Sequence, residues 1–141
     1  MKRAVFPGSF DPITVGHEAI INRALPLFDE IVLAIGVNSN KKYFFTLEER
    51  ISILEDCFKY QPKITIASYE GLTIEYCKTI GASHILRGLR TAADFDFERT
   101  IALMNKKMAP ELETVFLISE PEHSAISSTV VRDILKNGGD I

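Results

Sequence analysis

Apolar and polar positions alternate along this chain in two periods, and the switches between them mark its elements. Residues 2–6, apolar from Ala4 onward, read as a short strand that ends at Pro7-Gly8. From Gly16 the spacing turns helical, with Ala19, Ile20, Ala24, Leu25, Leu27 and Phe28 on one broad face and Pro26 forcing an early stop or a kink. Residues 31–37 are almost continuously apolar, the pattern of a parallel strand covered on both faces. Thr46-Leu47-Glu48-Glu49 has the spacing of a capping box and opens a helix to about Lys59. The same alternation predicts strands over 63–68, 84–87 and 114–119. It predicts helices over about 72–80, 93–108 and 128–136, the last ending at Gly138-Gly139. Strands alternating with helices at this spacing specify an α/β fold, a parallel five-stranded sheet with right-handed crossovers and flanking helices.

In such a sheet ligands bind in the crevice beyond the carboxyl ends of the strands. That rule selects the loops 7–17, 37–45, 68–73, 87–92 and 119–128. There is no internal repeat, low-complexity tract or linker, so residues 1–141 read as a single domain. Composition narrows the function. Lys and Arg number 16 against 19 Asp and Glu, a formal charge of −3, so no global basic field gathers nucleic acid. An anionic ligand must therefore be held by a local cluster. No apolar run approaches the ~20 residues of a membrane span, and the first residues lack the apolar stretch of a secretory signal. The expected location is the cytoplasm, and Cys57 and Cys77 are expected to be reduced thiols serving as small apolar side chains.

Three of the selected loops carry groups suited to phosphate. In Gly8-Ser9-Phe10-Asp11-Pro12-Ile13-Thr14-Val15-Gly16-His17, Gly8 allows a turn off the strand and Pro12 stiffens the return. Ser9 offers a hydroxyl, and His17 lies at a helix start, where free N–H groups and the dipole favour an anion. A Gly/Pro turn whose histidine merely caps or packs would look the same. Arg87-Gly88-Leu89-Arg90 follows a strand and could clamp phosphate bidentately, or could simply be solvated. Lys41 and Lys42 have the same two readings. In Ile126-Ser127-Ser128-Thr129-Val130-Val131-Arg132 the hydroxyls either cap a helix or face a polyphosphate, with Arg132 one turn on from Ser128. A zinc-peptidase reading fails because position 21 is Ile21, and there is no G-x-G-x-x-G or P-loop lysine. The loops after strands one, two, four and five all bring such groups to one rim.

The first and last of these motifs resemble the two signatures of the nucleotidyltransferase superfamily. Thr14, where most branches carry a histidine, resembles the bacterial phosphopantetheine adenylyltransferase family. So do Lys41-Lys42 with 45–50, Leu86 through Arg90, Asp94 through Glu98, and Met104-Asn105. The likeness runs through nearly the whole chain. It implies a Rossmann-like, doubly wound sheet and the reversible transfer of AMP from ATP to 4′-phosphopantetheine, without a covalent intermediate. By the same resemblance, Ser9 and Phe10 touch ATP, with Ser9 also near the acceptor phosphate, and His17 stabilises the transition state. Lys41 and Arg87 hold the acceptor phosphate, while Thr73 and Asn105 line the pantetheine arm. Gly88, Leu89, Arg90 and Glu98 bind the nucleotide together with His123, Ser124, Ala125, Ile126, Ser127, Ser128 and Thr129. A Mg²⁺ requirement, a homohexamer and feedback by coenzyme A are also implied.

Two departures stand out. The family usually has threonine where this chain has Ser9, which keeps the hydroxyl, and it continues into a further helix beyond Ile141. Two other readings remain open: a sister nucleotidyltransferase acting on nicotinamide mononucleotide or with a cytidylyl donor, and a nucleotide-binding regulator without turnover.

Overall fold

Each apolar run becomes a strand of one sheet in the computed structural model, which describes residues 1–38, 40–119 and 128–138. The strands are β1 (Arg3–Gly8), β2 (Glu30–Gly36), β3 (Ile64–Tyr69), β4 (His84–Leu89) and β5 (Glu113–Ile118). Their order is β3-β2-β1-β4-β5 and every neighbouring pair is parallel. The chain thus builds outward from β1 to one edge, then crosses back to build the other half. The reversal lies between β1 and β4, where a doubly wound sheet opens its crevice.

The helices are α1 (Val15–Ala24), α2 (Leu47–Cys57), α3 (Thr73–Thr79), α4 (Ala92–Met108) and α5 (Ser128–Lys136). Pro26 ends α1 as expected, because residues Leu25–Leu27 tighten into a 3₁₀ turn. The capping box at Thr46 is present, with Thr46 Oγ1 accepting from the Glu49 amide and the Glu49 carboxylate accepting from the Thr46 amide.

Strand period decides the two cores. Ala4, Phe6, Ile31, Leu33 and Ile35 face one layer of helices, and Val5, Val32 and Ala34 face the other. Both layers exclude water, so these strands are apolar throughout rather than alternating. The two strands at the switch point are longer than expected. Pro7 extends β1 because β1 and β4 pair only at Ala4–His84 and Val5–Ile85. Beyond that point the β4 side makes no demand on the amide that Pro7 lacks. β4 likewise continues through Gly88 and Leu89, which pair with Leu117 and Ile118 of β5. Arg87-Gly88-Leu89 is therefore strand end rather than loop.

One expectation changes. Cys57 is exposed, not packed as an apolar side chain, because it ends α2 at the surface. Cys77 is buried, and its surroundings push the thiol up to about 11. No described helix is long and apolar enough to cross a membrane.

Candidate active site

Where β1 and β4 part, the first motif loop leaves the sheet. Its left-handed residue is Phe10 (φ 47°), not Gly8. Gly8 is needed for close approach instead: a Cβ there would lie 3.2 Å from the Phe10 ring. Phe10 is buried and packs edge-on against Phe6 and His17, at 5.7 and 5.4 Å between centroids. The unusual backbone at Phe10 is thus held by its own ring.

The loop ends in a second capping box, with histidine where glutamate is usual. Thr14 Oγ1 accepts from the His17 amide at 3.3 Å, and His17 Nδ1 accepts from the Thr14 amide at 3.1 Å. Because Nδ1 is an acceptor, the neutral ring carries its proton on Nε2. Burial first, then the Arg87 and Arg90 charges, lower the His17 pKa from 6.5 to about 4. At neutral pH this side chain is an uncharged N–H donor in a fixed orientation.

Arg87 spans the gap between the diverging strands. Its Nη1 donates to the Pro7 carbonyl at 2.9 Å, and its Nη2 pairs with Glu98 of α4 at 2.6 Å. Arg90 is tied to Asp94 at 3.3 Å. From the far side, α5 docks on the same loop. Ser128 Oγ donates to the Pro12 carbonyl at 2.7 Å, and Arg132 Nη1 donates to the Asp11 carbonyl at 2.7 Å. Ser128 thus anchors the loop, and Arg132 is spent on Asp11 and on Thr129 Oγ1.

Two cavities meet at this point. The first, about 530 Å³, is lined by Lys41, Tyr43, Tyr69, Thr73 and Asn105; the second, about 560 Å³, by Phe10, Thr14, His17, Arg90 and Ser128. They share one wall: Pro7, Gly8, Ser9, Arg87 and Glu98. The residues expected to hold an acceptor line the first chamber. Of those expected to hold a nucleotide, most of the described ones line the second.

Comparison with known proteins decides the family. Residues 5–134 match the cytidylyltransferase-like family. Phosphopantetheine adenylyltransferases from Flavobacterium johnsoniae and Flavobacterium psychrophilum are 57% and 54% identical over 99% of this chain and 91% and 92% of theirs. That of Leptospira biflexa is 51% identical over 96% of this chain and 84% of its own. The chain belongs to the phosphopantetheine adenylyltransferase family. Among solved structures, a putative nicotinate-nucleotide adenylyltransferase from Vibrio parahaemolyticus superposes with a TM-score of 0.71 at 20% identity. It covers all of this chain and 91% of its own. At that identity the match speaks for the Rossmann-like fold alone.

The remaining candidates sort as follows. Gly88 lines the second chamber, and a Cβ there would come within 3.3 Å of Ile20. Leu89 lies in the core and lines neither chamber, and neither do Thr129 and Arg132. Lys42 is exposed and also outside both linings. His123, Ser124, Ala125, Ile126 and Ser127 fall outside the described residues. Among the described residues no cluster of three His, Cys, Asp or Glu could cage a metal.

Sequence reasoning missed two buried charges. Asp11 takes the Phe44 and Phe45 amides on its two carboxylate oxygens, both at 2.8 Å. Arg50 donates to the Ser9 carbonyl at 2.9 Å and to the Thr46 carbonyl at 3.3 Å. Both are at most 3% exposed, and both bind the acceptor-side segment 43–46 to the first motif. A signal for Arg50 existed: with Leu47, Ile51 and Leu54 it falls on the inward stripe of α2.

Proposed function

We propose that the chain transfers the adenylyl group of ATP to 4′-phosphopantetheine, reversibly, giving 3′-dephospho-coenzyme A and pyrophosphate. One observation carries this reading beyond family membership: two chambers divided by a common wall of Ser9, Arg87 and Glu98, with a lysine on one side and a neutral histidine on the other.

A phosphate oxygen of the acceptor attacks the α-phosphorus of ATP, and the bond from that phosphorus to the pyrophosphate oxygen breaks. The phosphate monoester is largely ionised near neutral pH, so no strong general base is required. The obstacle is repulsion between two anions. Lys41 and Arg87 hold the acceptor phosphate in the first chamber, with Thr73 and Asn105 along the pantetheine arm. Ser9, Phe10, Gly88, Arg90 and Glu98 surround the nucleotide. Holding two reactants in line is worth ~7–11 kcal/mol in favourable systems. The Nε2–H of His17 donates to an α-phosphate oxygen as charge builds on it, a contribution of about 3–4 kcal/mol for one well-placed donor. Its low pKa keeps that donor neutral, so it does not trade a proton with the phosphates before reaction.

Mg²⁺ fits this donor set as a companion of the nucleotide. Asp94 and Glu98, the carboxylates bordering the second chamber, are each paired with an arginine. An ion that keeps several waters and binds mainly through substrate phosphates suits such a site. When bound it would neutralise part of the triphosphate charge. We also propose that copies of the chain associate, as the homohexamer of the resemblance implies. Support comes from α4, none of whose 17 residues is buried although Phe97 and Met104 are 68% and 59% exposed. A cytoplasmic location and feedback by coenzyme A belong to the same reading.

The test is pyrophosphate release from ATP with and without phosphopantetheine. Release that depends on the acceptor is expected. Release indifferent to it, or none at all, would overturn the assignment.

A further inference from the structure

Segment 40–46 brings the acceptor-side lysine to the first chamber, yet Lys41 itself is exposed and flexible by nature. Something must aim it. Its ammonium lies over the Tyr43 ring, 5.5 Å from the centroid, and the Arg50 guanidinium lies over the same ring at 4.0 Å. Tyr43 lines the chamber, and its hydroxyl reaches the Gly36 carbonyl at 3.4 Å, at the end of β2. The ring is therefore fixed at three points. Asp11 pins the backbone just after it, through the amides of Phe44 and Phe45. Arg50 packs against its face, and the hydroxyl leans on the sheet.

Among the described residues neither Lys41 nor Arg50 forms an ion pair with a carboxylate. Arg87 of the shared wall and Arg90 of the second chamber both do. Of the two cations on this ring, Arg50 is buried and lines neither chamber, which leaves Lys41 as the charge that an incoming phosphate completes.

We propose that Tyr43 is a positioning residue for the acceptor phosphate, acting through Lys41. The ring offers the ammonium a preferred resting place facing the chamber, and Arg50 keeps the ring in register with the Ser9 loop. This rests on the reading of Lys41 as a ligand of the acceptor phosphate.

The experiment is a double-mutant cycle on the full chain, with KM for phosphopantetheine, KM for ATP and kcat measured for each variant. Tyr43→Leu is expected to raise the phosphopantetheine KM about two- to fivefold, the worth of an exposed cation–π contact. The KM for ATP should change by less than that. Tyr43→Phe, which keeps the ring face, should recover most of the loss. In a Lys41→Ala background, Tyr43→Leu should add nothing further, because the group it aims is gone. Thermal melting separates this from damage to the loop. A lowered melting point with both KM values raised together would overturn the inference, and so would full additivity of the two substitutions. If Lys41→Ala alone leaves the phosphopantetheine KM unchanged, the underlying assignment of Lys41 falls. If Lys41→Ala raises it and Tyr43→Leu does not, only the role of Tyr43 falls.

Discussion

The two chambers handle positive charge in opposite ways. On the His17 side, among the described residues, the arginines are paired before any ligand arrives, Arg87 of the shared wall with Glu98 and Arg90 with Asp94, and His17 is held neutral by burial. On the Lys41 side, beyond that shared arginine, Lys41 rests on an aromatic ring that the buried Arg50 backs while donating to backbone carbonyls. A site whose charges are already balanced recognises shape and hydrogen-bond geometry. A site whose charges are unbalanced recognises charge. The difference suits a nucleotide that arrives with its own counter-ion and an acceptor that arrives as a bare phosphate.

The largest effect should come from His17→Ala. With one donor to a developing charge removed, kcat should fall about 10²–10³-fold while the KM for ATP barely moves. Steady-state kinetics with both substrates varied would show this. Equal losses in ATP binding and turnover would make His17 a ground-state ligand and erase the contrast. Next, Lys41→Ala should raise the phosphopantetheine KM roughly 10- to 100-fold, the worth of a charge-assisted hydrogen bond. Arg87→Ala should act in the same direction, and an effect confined to ATP would refute both.

A third test uses pH. The folded-state pKa of His17 lies near 4, below the ordinary 6.5 of a histidine, so the unfolded chain binds a proton that the folded one refuses. Above pH 6.5 both forms are neutral and nothing is contributed. As pH falls from 6.5 towards 4, stability should decline on this account, and His17→Asn should flatten that part of the curve. NMR titration of the ring gives the same answer directly, and a midpoint near 6.5 would contradict the burial argument. The smallest effect is that of salt. Raising ionic strength should increase the KM for phosphopantetheine by about two- to threefold, and that for ATP by less, because screening acts on uncompensated surface charge.

Much of this was legible in the chain. The unbroken apolar run at 31–37 and the capping box at Thr46 placed β2 and α2 within a residue or two. The strand-end rule then located the crevice without any structure. What escaped has a common cause. Arg50 and Asp11 are charged, and charge ordinarily signals surface; here each is buried because it satisfies backbone groups of a neighbouring loop. The box at Thr14 was only half visible: a capping role for His17 was one of two readings, and nothing in the sequence named Thr14 as its partner. Pro7 reads in sequence as the end of β1, since its tolerance depends on β4 having already peeled away, a fact of three dimensions.

The partition formed by Ser9, Arg87 and Glu98 has one more effect. Any molecule made by joining the contents of the two compartments grips both at once, and letting go of one end leaves it tethered by the other. Such a two-handed guest should dwell longer than either starting material. Its departure should therefore be slower than that of either half, which rapid-mixing measurements of release would show.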